Sequence, residues 1–195
     1  MIDPDKLWSF EAIKTADFRV SSNGRFAWTA GGEDYVKQYM PPSLVDMNYP
    51  PERLIAEMDY AGVDRALLHR TPYLGIGNDF IANCVRSFPD RLQGLAHIEE
   101  WKIQAEPDLS IKKLVSAIEE YHLSGLQFLP DHLILYGQNE DWDSSGFKAF
   151  WDVFTTYKIP LFITPSYNSL QGATIDSFLY GLRIIGKWMN IYQNT

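Results

Sequence analysis

Four short apolar segments alternate with longer amphipathic ones along residues 63–195 of this 195-residue chain. The apolar segments cover residues 63–69, 92–98, 125–129 and 159–164. Their central residues follow one another at steps of 29, 31 and 35 positions and are Ala66, Leu95, Leu126 and Leu161. Between them, apolar side chains recur at the i, i+3, i+4 and i+7 spacing of an amphipathic helix. This alternation predicts a parallel α/β sheet whose strands are buried on both faces.

Two architectures are compatible with the pattern: a partial (β/α)8 TIM barrel and a small open parallel α/β sheet. A complete barrel of about 250 residues uses roughly 31 residues for each βα unit, which matches the observed steps. The chain holds about four such units, so it is either a small open sheet or part of a barrel, and the spacing alone does not separate the two. If it is half a barrel, four apolar residues are expected to line the barrel interior: Leu67, Leu95, Leu126 and Phe162. A last helix after Thr174 is expected to bury Ile175, Phe178, Leu179, Leu182, Ile185, Met189 and Tyr192.

Residues 1–48 lack this periodicity, which predicts an irregular N-terminal segment. The barrel-like domain is expected to cover residues 49–195. Turn-forming residues stand together at Ser22-Asn23-Gly24, and Pro41-Pro42 interrupts the chain further on. The residues on either side of the first turn, 18–20 and 26–29, predict a short hairpin.

Charge and composition argue against several classes of protein. The chain has 17 Lys and Arg against 25 Asp and Glu, a formal net charge of −8, whereas nucleic-acid binding normally requires a basic surface. No apolar run approaches the roughly 20 residues of a membrane span, and the N-terminal residues do not resemble a signal peptide. The single cysteine, Cys84, cannot form an internal disulfide. These observations predict a cytoplasmic protein whose partner is a small molecule, not nucleic acid or a membrane.

Several segments carry a family resemblance in their order along the chain. They are LIAEMDYAGVDRALLHR at 54–70, SFPDRLQGLAHIEEW at 87–101, SGLQFLP at 124–130 and FWDVFTTYKIPLFIT at 150–164. Over about residues 44–192 the chain resembles the amidohydrolase-related (amidohydrolase family 2) metal-dependent hydrolases and decarboxylases. The resemblance implies a (β/α)8 barrel with its active site at the carboxyl ends of the strands, of which this chain would be the central half.

The resemblance also implies zinc or another divalent metal in an intact barrel. Family members usually hold it with a His-x-His on strand one, histidines on strands five and six, and an aspartate on strand eight. The four histidines here form no such pair and are His69, His97, His122 and His132. The strand-five ligand position falls near Thr164, and the later ones would lie beyond Thr195. This chain therefore supports no metal ligand set and no cofactor, and we expect it to be inactive alone.

Polar residues at the carboxyl ends of the predicted strands are the candidates for substrate contact, because ligands bind at that edge of a parallel sheet. An arginine there would bind a carboxylate through its planar guanidinium group. The predicted substrate-binding set is His69, Arg70, Tyr73, His97, Asp131 and Thr164. Glu99 and Glu100 follow one of these strands and are expected to form an exposed acidic pair.

Two functions remain open. The first is a hydrolase or decarboxylase (a carbon–carbon lyase) that acts on a small carboxylate- or lactone-type substrate. The second is a non-catalytic binding or subunit-interaction relative of the same fold. A flavodoxin-like sheet that binds phosphate is disfavoured, because no glycine-rich turn follows a strand. Half a barrel also leaves two sheet edges without partners, so we expect self-association into a homo-oligomer.

Overall fold

A computed structural model describes residues 17–30, 32–46, 48–69, 76–130, 141–164 and 175–191. The chain divides into two compact units, with the boundary between Asp64 and Arg65. Within the described residues, no helix combines the length and the apolar character that crossing a membrane requires.

The first unit contains a three-stranded antiparallel sheet, in which β1 (Asp17–Ser21), β2 (Arg25–Ala30) and β3 (Glu33–Gln38) follow in sequence order. The predicted hairpin is confirmed, because Val20 pairs with Phe26 across the first turn. Three residues, 22–24, form the turn between the paired residues Ser21 and Arg25, and Asn23 and Gly24 there both have positive φ, 59° and 71°, which asparagine and glycine adopt most readily. The expectation of an irregular segment is wrong for residues 17–38, since β3 adds a third strand.

The strand that sequence analysis missed, β3, has the sequence EDYVKQ and is exposed at five of its six positions. It has no alternating apolar pattern, so periodicity carries no signal for it. Backbone pairing with β2 forms it, supported by the ring of Tyr35, which stacks on the buried Trp28 at a centroid distance of 5.7 Å. The first unit ends with the helix α1 (Pro51–Ala61), which Gly62 terminates in the left-handed conformation at φ 70°.

The second unit is built on a four-stranded parallel sheet in sequence order: β4 (Ala66–Leu68), β5 (Leu92–Ala96), β6 (Gly125–Phe128) and β7 (Leu161–Ile163). The helices between and after these strands are α2 (Asn78–Ser87), α3 (Pro107–Glu119), α4 (Lys148–Tyr157) and α5 (Ile175–Ile191). A doubly wound sheet would reverse its strand order at a switch point. The uninterrupted order is that of half a barrel, as the spacing and the family resemblance together predict.

Strand register separates the two faces of this sheet. Leu95 pairs with Gly125 and Gln127 with Phe162, and alternate residues of a strand point to the same face. Leu67, Leu95, Gln127 and Phe162 therefore share the inner face of the half-barrel. Leu126, expected on that face, lies on the other one and is fully buried in the core beneath the helices. That expectation is wrong by one position, because alternate residues of the strand GLQF face opposite sides and the local sequence does not show which side faces the barrel interior.

An aromatic cluster holds the helices to the outer face of the sheet. Phe128 of β6 meets the Trp151 ring of α4 edge-on at 5.0 Å, and Trp188 of α5 meets the same indole at 5.5 Å. The Trp151 indole N–H donates to the backbone oxygen of Trp142 at 2.5 Å. Large aromatic rings provide most of the buried apolar area at this contact.

The last helix turns only part of the expected face to the core: Ile185 packs against the core as predicted, and Tyr192 lies outside the described residues. Ile184 and Trp188 are buried, whereas Leu179, Leu182 and Met189 are 44%, 43% and 59% exposed. The helix is apolar around most of its circumference, so its sequence pattern does not identify a unique buried side. Trp188 decides the orientation through its contacts with the aromatic cluster.

Candidate active-site edge of the half-barrel

The carboxyl ends of the four parallel strands place polar residues of the inner face along one edge of the sheet. His69 follows β4, His97 follows β5, Gln127 lies near the end of β6, and Thr164 follows β7. Each lies two positions beyond an inner-face residue of its own strand. Three of these four positions belong to the set predicted from the sequence, and Gln127 does not.

His69 is exposed, and its imidazole is held from two sides. Nδ1 lies 3.2 Å from Oε1 of Gln127, and the ring stacks on Phe162 with a centroid distance of 6.1 Å and an interplanar angle of 28°. Gln127 is only 2% exposed. The contact joins β4 to β6 and β7, so tertiary structure brings together residues 58 positions apart.

Gln127 is the functional candidate that sequence reasoning overlooked. A signal for it exists, because it is a polar residue inside the otherwise apolar strand GLQF. A buried amide is costly unless it is hydrogen-bonded, so such a residue points to a specific partner. That partner is His69, which lies too far away in the sequence for local patterning to indicate.

His97 is fully buried and is bonded to the start of α2. Its Nε2 accepts the backbone N–H of Gly77 at 2.9 Å. Its own backbone exchanges two bonds with the Asn78 side chain, each 3.0 Å long: the N–H donates to Oδ1, and the carbonyl accepts from Nδ2. These three bonds fix the first turn of α2 against the end of β5.

Thr164 continues β7 along the edge, since its backbone N–H donates to the Phe128 carbonyl at 3.0 Å. Its hydroxyl oxygen is buried and has no hydrogen-bond partner among the described residues. A buried hydroxyl of this kind is suited to bond a ligand group that enters the edge. The remaining members of the predicted set, Arg70, Tyr73 and Asp131, lie outside the described residues.

The two glutamates after His97 are not an exposed pair, which corrects the sequence expectation. Glu100 is fully buried, and its Oε1 accepts the backbone N–H of Leu129 at 3.1 Å. Glu99 binds Lys102 at 3.0 Å and Lys113 at 2.6 Å. Burial would raise the pKa of Glu99, but the hydrogen bonds from both lysines outweigh it and hold that pKa below its ordinary value. Both carboxylates therefore brace the loop after β5.

The described residues do not fit the metal that the family resemblance implies. They contain no group of three or more His, Cys, Asp or Glu side chains placed to hold an ion. His97 already uses Nε2 as the acceptor for Gly77. A zinc or manganese site normally needs at least three convergent protein ligands, and His69 alone does not provide them.

Comparisons with known proteins agree on the architecture. No family model matches the chain, and no curated protein matches it. Among solved structures, 5-carboxyvanillate decarboxylase from Sphingomonas paucimobilis aligns with a TM-score of 0.53 and 19% identity, over 77% of this chain and 50% of that one. An uncharacterized TIM-barrel protein from Bordetella bronchiseptica aligns with a TM-score of 0.53 and 14% identity, over 73% and 48%. The chain has the fold of half a TIM barrel.

A third neighbour is 5-carboxyvanillate decarboxylase from Novosphingobium aromaticivorans, solved with manganese and 4-hydroxy-3-methoxy-5-nitrobenzoic acid. It aligns with a TM-score of 0.51 and 22% identity, over 71% of this chain and 40% of that one. The chain thus spans half or less of the length of these neighbours. The shared architecture agrees with the resemblance to amidohydrolase-related hydrolases and decarboxylases, at the level of the fold.

Proposed function

We propose that the chain forms part of an amidohydrolase-related enzyme, a hydrolase or decarboxylase that acts on a small carboxylate- or lactone-type substrate. One observation carries the proposal: an exposed imidazole, that of His69, is held by a buried glutamine at the carboxyl edge of half a TIM barrel. Active sites of TIM-barrel enzymes lie at that edge. The decarboxylases among the structural neighbours support the same reaction class.

The residues of the edge divide into three roles in this proposal. His69 contacts the substrate and exchanges a proton with it, since imidazole is the usual general acid–base group of proteins. Phe162 packs against a planar substrate, and the Thr164 hydroxyl bonds a polar group of it. His97 and Glu100 hold the surrounding loops in place. Arg70, Tyr73 and Asp131 retain the substrate-binding role proposed from the sequence.

The proposed enzyme needs groups that the described edge does not supply. Any divalent ion would have to be held by residues outside the described ranges, and we derive no step through it. Closure of the barrel needs further strands, and we propose that self-association provides partners for the open edges. We also propose a cytoplasmic location, because the single cysteine of the chain, Cys84, cannot form an internal disulfide, which fits a reducing compartment.

A non-catalytic binding protein is the second candidate, favoured by the missing metal ligand set among the described residues. Both candidates bind a small molecule at the same edge, and only the first converts it. A binding measurement combined with a turnover measurement therefore separates them.

The test uses the full chain with 5-carboxyvanillate and a 2-pyrone carboxylate as probes, with and without added manganese. A single copy of the chain is expected to be inactive, but in the self-associated form we expect saturable binding that perturbs NMR signals of His69, Gln127 and Thr164, and release of carbon dioxide or opening of the lactone. His69→Asn should weaken binding by about tenfold or more, the effect of losing one hydrogen bond to a charged group.

The matched control is His122→Asn, since His122 is exposed before the amino end of β6, opposite the proposed site. It adopts φ 56°, a conformation that asparagine tolerates well. Equal losses in both variants would contradict the assignment of the site. Binding without turnover would favour the non-catalytic candidate.

A further inference from the structure

The contact between His69 and Gln127 determines more than the position of the imidazole. The Gln127 Oε1 atom that faces Nδ1 is an amide oxygen, which accepts hydrogen bonds and never donates them. At 3.2 Å the two atoms form a hydrogen bond only if Nδ1 carries the proton. In a neutral imidazole with its proton on Nδ1, the other nitrogen, Nε2, presents a lone pair.

This arrangement suits both charge states of the ring. When His69 is neutral, Nδ1–H donates to Gln127 and Nε2 is an acceptor. When it is protonated, Nδ1–H still donates to the same oxygen, and Nε2 gains a proton. The bond to Gln127 is therefore kept throughout, and proton exchange takes place at Nε2 alone.

The residues around His69 favour these separate roles, in which Nδ1 binds Gln127 and Nε2 faces the ligand. Gln127 is buried, so its amide is surrounded by protein rather than water. The ring of Phe162 covers one side of the imidazole, which limits its rotation. His69 itself is exposed, so the ring remains accessible to a ligand.

We propose that Gln127 is a positioning residue that fixes His69 in the Nδ1–H tautomer, so that Nε2 accepts an O–H or N–H group of the ligand. The proposal rests on the proposed function for the use of that acceptor, but the tautomer itself does not depend on the ligand. A neutral His69 held in this way selects a hydroxyl or amine at Nε2. A carboxylate binds there only after Nε2 is protonated.

The tautomer of His69 can be measured by NMR. The result discriminates, because free histidine favours a proton on Nε2 and the proposal requires the proton on Nδ1. We would label the full chain with ¹⁵N-histidine and record long-range ¹H–¹⁵N spectra at a pH where the ring is neutral, using His69→Asn to assign the signals. We expect the Nδ1–H form of His69 to predominate in the unmodified protein. This measurement tests the proposal without any change at Gln127, because it needs only the unmodified protein and the variant at the exposed residue His69.

Three variants test the role of Gln127. Gln127→Leu keeps the volume but removes the acceptor, and should lower the ratio of Nδ1–H to Nε2–H by about five- to tenfold, the effect of one hydrogen bond. Gln127→Glu restores an acceptor and should restore the Nδ1–H form. Gln93→Leu changes an exposed glutamine on the same face of β5 and should leave the tautomer unchanged.

An Nε2–H signal for His69 in the unmodified protein would overturn the proposal, as would an unchanged tautomer in Gln127→Leu. Failure of the probes to bind a protein with the expected tautomer would instead contradict the proposed function. The two failures are thus distinguishable. Ligands that differ only by a hydroxyl provide the final check: the hydroxylated one should bind better to the unmodified protein, and Gln127→Leu should reduce that preference.

Discussion

Gly94 on β5 gives the sharpest test of how the half-barrel packs. A Cβ atom at this position would lie 2.4 Å from Cγ2 of Ile81, 2.9 Å from Cδ2 of Leu123 and 3.3 Å from Cγ2 of Val85. Carbon atoms normally approach no closer than about 3.5 Å. Because Ile81 is buried and β-branched, its methyl group has little freedom to move. Gly94→Ala should therefore push α2 away from the sheet.

The magnitude follows from two opposing effects. Overpacking a core by one methyl group typically costs about 1–3 kcal/mol, and two contacts below 3.0 Å place Gly94→Ala at the upper end. Replacing glycine in a strand returns about 0.5–1 kcal/mol of chain entropy. We expect a net loss of about 2–2.5 kcal/mol in the free energy of unfolding. For a chain of this size that corresponds to a melting temperature lower by about 4–10 °C.

Urea unfolding followed by tryptophan fluorescence measures this loss. Gly186→Ala is the matched control, since Gly186 is exposed on α5 and a Cβ there meets nothing within 4 Å. It should be neutral or stabilise the protein by up to about 1 kcal/mol. If both variants are as stable as the unmodified protein, the close packing of α2 on β5 is refuted. Displacement of α2 should also disturb His97, which is bonded to its first turn.

Four further outcomes are expected. Gly125→Ala should destabilise the sheet more than a surface substitution, because its Cβ would lie 2.6 Å from the backbone oxygen of Pro160. Thermal unfolding measures the loss of stability, and an unchanged midpoint would argue against the close approach of β6 and β7. The pKa of Glu99 is lowered from 4.5 in the folded state, so its stabilising effect is complete above that pH and is lost as the pH falls through the folded pKa. Unfolding experiments at pH 6 and pH 3 should therefore show a weaker pH dependence in Glu99→Gln. Leu67 and Phe162 are 43% and 45% exposed on the inner face, so sedimentation should show self-association, and a clean monomer that binds no hydrophobic dye would contradict it. Equilibrium dialysis should find weak zinc binding or none, whereas one tightly held zinc per chain would mean that ligands outside the described residues converge.

The half-barrel architecture is largely determined by the sequence. The period of about 31 residues, the apolar strands and the amphipathic helices each follow from local patterning, and together they define parallel βα units. The polar residues His69, His97 and Thr164 were placed at strand ends by position alone. The turn at Asn23-Gly24 likewise determines the hairpin, because its positive φ angles need residues of this type.

Tertiary structure decided which face each side chain occupies and which residues meet. The sequence places Leu126 on the inner face of β6, but the strand register gives that face to Gln127, and a four-residue strand does not show locally which of its sides faces the helices. The sequence of Glu99 and Glu100 is typical of exposed charges. In the fold, Glu99 binds Lys102 and Lys113, and Glu100 accepts a backbone N–H. The bond between His69 and Gln127 depends on strands that pair in space across 58 residues of sequence. Local patterning reports a residue's preference for burial, but only the fold determines its partner.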